Sequence, residues 1–153
     1  MSLKTMLKRS RPFVVCGLAT MTAGGALAAS NAEKQATRAP VGEINWIKTP
    51  GGVGVFVAFG DPLKGPHLTL FKYAPGQKSP LHTHSADYTG VIVAGIGRHY
   101  LPGKPETQTD LAAGSTWFMP ADVEHISECL PGAECIFAIY QQAPSDYKEV
   151  KKR

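Results

Sequence analysis

The chain has 153 residues, with 16 Lys and Arg against 12 Asp and Glu and a formal net charge of +4. Four of the basic residues, Lys4, Lys8, Arg9 and Arg11, lie within the first 28, where no acidic residue stands, so the remainder carries twelve of each sign. A net charge near zero excludes an electrostatic case for nucleic acid or an anionic membrane, and the remaining stretch of about 125 residues suits one domain with one core.

Residues 1–28 read as a secretory signal: a positive start, an apolar stretch from Phe13 to Ala23, and a small-x-small cleavage site at Ala26-Leu27-Ala28. An uncleaved membrane anchor would need about twenty apolar residues, and Gly24, Gly25 and the Thr and Ser interruptions weaken that reading. Ser10 separates Arg9 from Arg11, so there is no twin-Arg pair and ordinary unfolded export to the periplasm or beyond is expected, with no membrane association after cleavage. Residues 29–42 are polar and Ala-rich, as in a flexible arm. With Cys16 in the leader, Cys129 and Cys135 remain for an oxidising compartment, where a disulfide is expected. Free thiols or thiolate ligands are the alternative, but five intervening residues fit no common zinc pattern. So short a loop contributes about 2 kcal/mol by the chain-entropy argument, and it would pin the turn that follows His125.

Residues 43–145 form the predicted domain. Runs rich in β-branched and aromatic residues span Ile44 to Ile47, Val53 to Ala58, His67 to Tyr73, His82 to His84, Tyr88 to Val93, Arg98 to Leu101, Ser115 to Met119 and Cys135 to Tyr140. Gly- and Pro-rich turns separate them, among them Pro50-Gly51-Gly52, Pro75-Gly76 and Pro131-Gly132. Short strands punctuated this often predict an all-β sandwich or barrel. Residues 146–153, with Lys148, Lys151, Lys152 and Arg153, read as a solvated basic tail.

The run Pro80-Leu81-His82-Thr83-His84 carries the chemistry. On an extended strand side chains alternate, so His82 and His84 face the same side and can hold one ion. A helix would need a spacing of three or four, and Pro80 with its Gly- and Pro-rich surroundings opposes one. Neutral imidazole is the commonest nitrogen ligand for Zn, Fe, Ni and Cu, and His125 is the candidate third ligand.

These residues and their frame resemble the cupin family. Its first motif is matched by Gly76, His82, His84 and Gly95, with Tyr88, or Thr89 at the longer spacing, where the family has a ligating Glu. The second is matched by Gly114, Pro120 and His125, with Asp122 in place of a Gly. The resemblance runs from Trp46 to Gln141 and implies a single-domain jelly-roll barrel in which His125 meets the His82 and His84 pair. It also implies a divalent metal, with Fe(II) favoured and Zn, Mn or Ni as alternatives, and a homodimer paired through its sheets. Loading of the metal would follow export.

Tyr88 is the candidate catalytic residue, able to hydrogen-bond at the metal or to act in acid-base chemistry, with filling of the barrel as its alternative role. Asp87 points to the opposite side of a regular strand and reaches the site only through a bulge. His99 and His67 are not expected to be ligands. Glu124 and Glu128 flank His125 and read as surface carboxylates, with orientation of His125 as the alternative. Trp117, Phe118, Phe71 and Phe137 are expected in the barrel wall. Loss of the carboxylate leaves a neutral three-His set suited to a chelating small-molecule substrate, and the resemblance implies a dioxygenase-like Fe(II) centre. The alternatives are a non-redox metal-dependent isomerase or lyase, and a non-catalytic small-ligand or metal-binding module.

Overall fold

The computed structural model describes residues 36–151, and the leader read from residues 1–28 lies outside them. Among the described residues there are eleven strands: β1 Ile47–Lys48, β2 Gly54–Gly60, β3 His67–Tyr73, β4 His82–Thr83, β5 Tyr88–Ala94, β6 Ile96–Tyr100, β7 Leu111–Ala112, β8 Thr116–Met119, β9 Ile126–Cys129, β10 Cys135–Gln141 and β11 Lys148–Glu149. The helical content is two single 3-10 turns, Val41–Glu43 and Pro105–Thr107. No helix among these residues is long and apolar enough to cross a membrane.

Six strands make one antiparallel sheet in the order β1-β2-β3-β10-β5-β8. A second layer is assembled from β7-β6-β9 and from β11-β4, joined by isolated bridges between Lys78 and Glu128 and between His82 and His125. Alternation assigns the faces of the large sheet. Register places Phe71 opposite Phe137, and Phe137 opposite Ile92, on the inner side. Tyr73, Ile92, Cys129, Cys135 and Phe137 form the buried core, with Val53, Phe71, Leu111 and Trp117 packed against it. Phe137, 2% exposed, contributes about 2 to 3 kcal/mol by burial alone. The Cys129–Cys135 disulfide, Cα–Cα 5.6 Å, ties the end of β9 to the start of β10 and so links the two layers.

Two glycines allow the layers to meet. Gly95 turns β5 into β6 at φ 77°, where a Cβ would lie 2.6 Å from the Glu134 carbonyl oxygen. At Gly90 a Cβ would lie 2.1 Å from the Trp117 indole, so the bare backbone is what lets that ring lie across β5.

The expectation that Trp117 and Phe118 both belong to the wall is corrected for Phe118, because neighbours on a strand face opposite ways. Trp117 turns inward, while Phe118 is 60% exposed on the outer face. There it falls in one cross-strand row with Phe59, Leu68, Tyr140 and Thr89. Strands β7, β9 and β11 are additions to those expected from sequence. The last of them carries the chain beyond residue 145 into pairing with β4, through Lys148 opposite Thr83 and Glu149 opposite His82.

Candidate metal centre

His82, His84 and His125 come together, with one ligand atom from each lying within 4.8 Å of the others. The backbone builds most of this. His82 N–H donates to the His125 carbonyl at 3.2 Å and His125 N–H returns the bond to His82 at 3.0 Å, so two ligands from distant motifs are locked face to face. His84 follows at the next same-side position of the strand, its carbonyl accepting from Asp122 N–H at 2.8 Å.

Each ring is then oriented through Nδ1. His82 Nδ1 lies 2.8 Å from the Pro80 carbonyl oxygen, His125 Nδ1 2.8 Å from that of Val123, and His84 Nδ1 against that of Asp146. A carbonyl only accepts, so each Nδ1 carries the hydrogen and each neutral ring presents the lone pair of Nε2. Burial pushes His82 and His125 down to about 4 and lowers His84 as well, which keeps all three uncharged at neutral pH. Three neutral nitrogen lone pairs grouped this closely in a buried place fit a divalent ion with imidazole affinity.

Tyr88 reaches the cluster, 3% exposed, with its hydroxyl 2.9 Å from His125 Nε2 and 2.8 Å from His99 Nε2. Burial drives its phenol well above the ordinary value, so it stays protonated. The hydrogen bonds around it have one consistent order. His125 Nε2 has only a lone pair, so the Tyr88 hydroxyl donates to it; Tyr88 oxygen then accepts from His99 Nε2–H. His99 Nδ1 in turn accepts from the Ser127 hydroxyl at 3.1 Å. His99 is buried and stacked on Trp117, ring centroids 4.7 Å apart. Sequence reasoning set His99 aside as a ligand, and it stands outside the three-His group, but its contact with Tyr88 places it directly behind the site.

The remaining candidates are placed elsewhere. Asp87 Oδ1 accepts from Ala121 N–H at 2.7 Å, which ties β5 to the loop before His125 instead of entering the site. Glu124 is exposed. Glu128, read from sequence as a surface carboxylate, is 6% exposed and paired with Lys78 at 2.9 Å. His67 is buried two strands from Tyr88, its Nδ1 3.0 Å from Thr69 Oγ1. Asp122 adopts φ 58°, the left-handed region, which explains why the motif position it fills ordinarily carries Gly.

A cavity of about 540 Å³ opens beside the cluster, with His82, His84 and Tyr88 on one side and Val53, Phe71, Phe137 and Ile139 among its apolar walls. The lysine that lines it, Lys78, is neutralised by Glu128. Such a space suits a molecule with an apolar body and a polar end directed at the histidines.

No family model matches the sequence, and no curated protein matches it. Solved structures do. The polyketide cyclase RemF from Streptomyces resistomycificus is 18% identical with a TM-score of 0.64, over 78% of this chain and 88% of its own. An oxalate oxidase is 17% identical with a TM-score of 0.59, over 80% and 67%. A cupin 2 conserved barrel domain protein from Rhodopseudomonas palustris is 24% identical with a TM-score of 0.55, over 65% and 67%. At these identities the likeness shows the fold, and the fold is that of the cupin jelly roll, here carrying a cluster of three histidines.

Proposed function

We propose that this chain is an exported, metal-dependent cupin that acts on a small oxygen-bearing molecule, dioxygenase-like at a three-histidine Fe(II) centre. The observation that carries the reading is the set of three Nδ1–H bonds to backbone carbonyls, which leaves three neutral Nε2 lone pairs side by side. When bound, Fe(II) would supply a Lewis-acidic and redox-active point for an oxygen-donor substrate and O2, with Zn, Mn or Ni as the alternatives. His82, His84 and His125 would hold it. The apolar walls bind the body of the substrate and exclude water, and Tyr88 offers its proton to a substrate oxygen placed beside His125. Likeness to an oxalate oxidase supports the redox reading. Retention of Tyr88 as an un-ionised donor, together with likeness to a polyketide cyclase, supports a second reading in which a redox-inert ion and Tyr88 perform lyase or isomerase chemistry. The signal-like leader and the buried Cys129–Cys135 bond support export to an oxidising compartment.

Elemental analysis of protein purified without chelators, followed by oxygen-uptake assays with phenols and diketones, tests the proposal. About one divalent ion per chain is expected, falling sharply in His82→Ala and His125→Ala, because each ligand lost removes one of three bonds. Unchanged metal content in those variants overturns the metal site. Zinc alone, without oxygen uptake after reconstitution with ferrous iron, overturns the dioxygenase reading. Ligand binding without turnover assigns a binding module instead.

A further inference from the structure

The chain after β10 returns to the histidines. Gln141 Nε2 donates to the Pro144 carbonyl at 2.9 Å, Ser145 N–H to that of Pro62 at 2.7 Å, and Val150 N–H to that of Leu81 at 2.9 Å. Between these anchors, β11 lies against β4. Asp146 closes on the site twice: its main-chain carbonyl receives His84 Nδ1, and its carboxylate receives Ser85 N–H at 2.8 Å and the Ser85 hydroxyl at 2.5 Å. Tyr147 stacks on His82, centroids 4.4 Å apart and 22° between planes, and lines the cavity with Glu149.

His84 needs this segment for a definite reason. His82 and His125 each orient their rings on the carbonyl two residues back, Pro80 and Val123. The corresponding carbonyl for His84 belongs to His82, and it is taken by His125 N–H. The bridge that locks two ligands together thus engages the carbonyl that would serve the third locally, and His84 is oriented instead by a remote stretch of chain, 62 residues away.

We infer that residues 144–150 are a positioning strap for the histidine cluster: Asp146 sets the tautomer and direction of His84, and Tyr147 backs His82 and forms the outer cavity wall that limits ligand size. The metal-affinity part of this rests on the proposed metal centre, whereas the tautomer part does not. Partners that orient a ligating His through its second nitrogen commonly set metal affinity by about 10- to 100-fold.

The test compares the full chain with a chain ending after Ser145, and with the full-length variants Asp146→Ala, Asp146→Asn and Tyr147→Ala. In metal-free protein, nitrogen NMR of the rings should show His84 as the Nδ1–H tautomer in the full chain and as a mixture in the shortened one, with His82 and His125 unchanged. With Co(II) alone as probe, the shortened chain should bind about 10- to 100-fold more weakly with an altered visible band. Asp146→Ala should move the same way and Asp146→Asn, which keeps an acceptor for Ser85, should remain near the parent. Tyr147→Ala should admit bulkier chelators without loss of the His84 tautomer. An unchanged His84 tautomer in both the shortened chain and Asp146→Ala overturns the strap. A full chain that shows the expected tautomers and binds no Co(II) overturns the metal centre and leaves the strap standing.

Discussion

One hydroxyl proton at Tyr88 stands between two imidazole nitrogens, and the carbonyl behind His125 decides which of them receives it. Replacement by Phe removes the acceptor that His99 Nε2–H has in a buried place. A buried donor left without a partner costs about 1 to 3 kcal/mol. Tyr88→Phe should therefore destabilise metal-free protein by about that amount in urea denaturation, whereas the variant purified without chelators should carry as much divalent ion as the parent, since the same change frees His125 Nε2. Equal stability of the two proteins would show that the His99 bond is not made in solution. Tyr88 was legible in the sequence because it fills a motif position at a fixed spacing. The partnership with His99 was not, because it depends on how β6 lies across β5, which no local pattern encodes.

Elements that obey alternation were read well, and those that break it were not. The His67–Tyr73 run was placed residue for residue, since its β-branched and aromatic side chains mark a pleated face. The Ile126–Cys129 strand was missed because Ser127 and Glu128 look solvated in sequence and are buried only through the Lys78 pair and the His99 bond. Strand β11 was missed because a lysine-rich end has no apolar signal, and its partner β4 lies far back in the chain. The loop into β9 carries a testable cost of its own. Asp122 is the non-glycine residue with positive φ among those described, and its side chain also meets Lys148 at 3.6 Å. Ala and Gly at this position lose the same exposed ion pair, so a comparison between them isolates the backbone. Asp122→Ala should be less stable than Asp122→Gly by about 1 kcal/mol, the penalty of a Cβ in left-handed conformation, as read from paired denaturation midpoints. Equal midpoints would mean that the turn relaxes out of the left-handed region.

Across the whole molecule, the two layers are joined by the disulfide and by the His99–Trp117 stack, while the His82–His125 bridge ties together the two parts of the second layer, so the histidines are also part of what holds the sheets together. That arrangement gives stability a pH dependence with a definite sign. His82 and His125 titrate near 4 in the folded protein, and His84, His99 and His67 are lowered too, all chiefly by burial. In the unfolded chain the same rings titrate near the ordinary value of about 6.5. Above that value both states hold neutral rings and these groups exert no pH dependence. As pH falls from about 6.5 towards 4 the unfolded chain takes up protons that the folded one refuses, so stability drops across this window. Below about 4 the folded rings of His82 and His125 protonate as well, and their contribution to the slope ends. Urea midpoints of metal-free protein should accordingly be level from pH 8 to 7 and fall steadily from about pH 6.5 to 4.5. The window lies largely above the ordinary range of carboxylates, so the imidazoles dominate it. His82→Ala removes one of the depressed groups and should flatten the fall, whereas a midpoint independent of pH across the window would show that the cluster is open to solvent and proton uptake in the folded state.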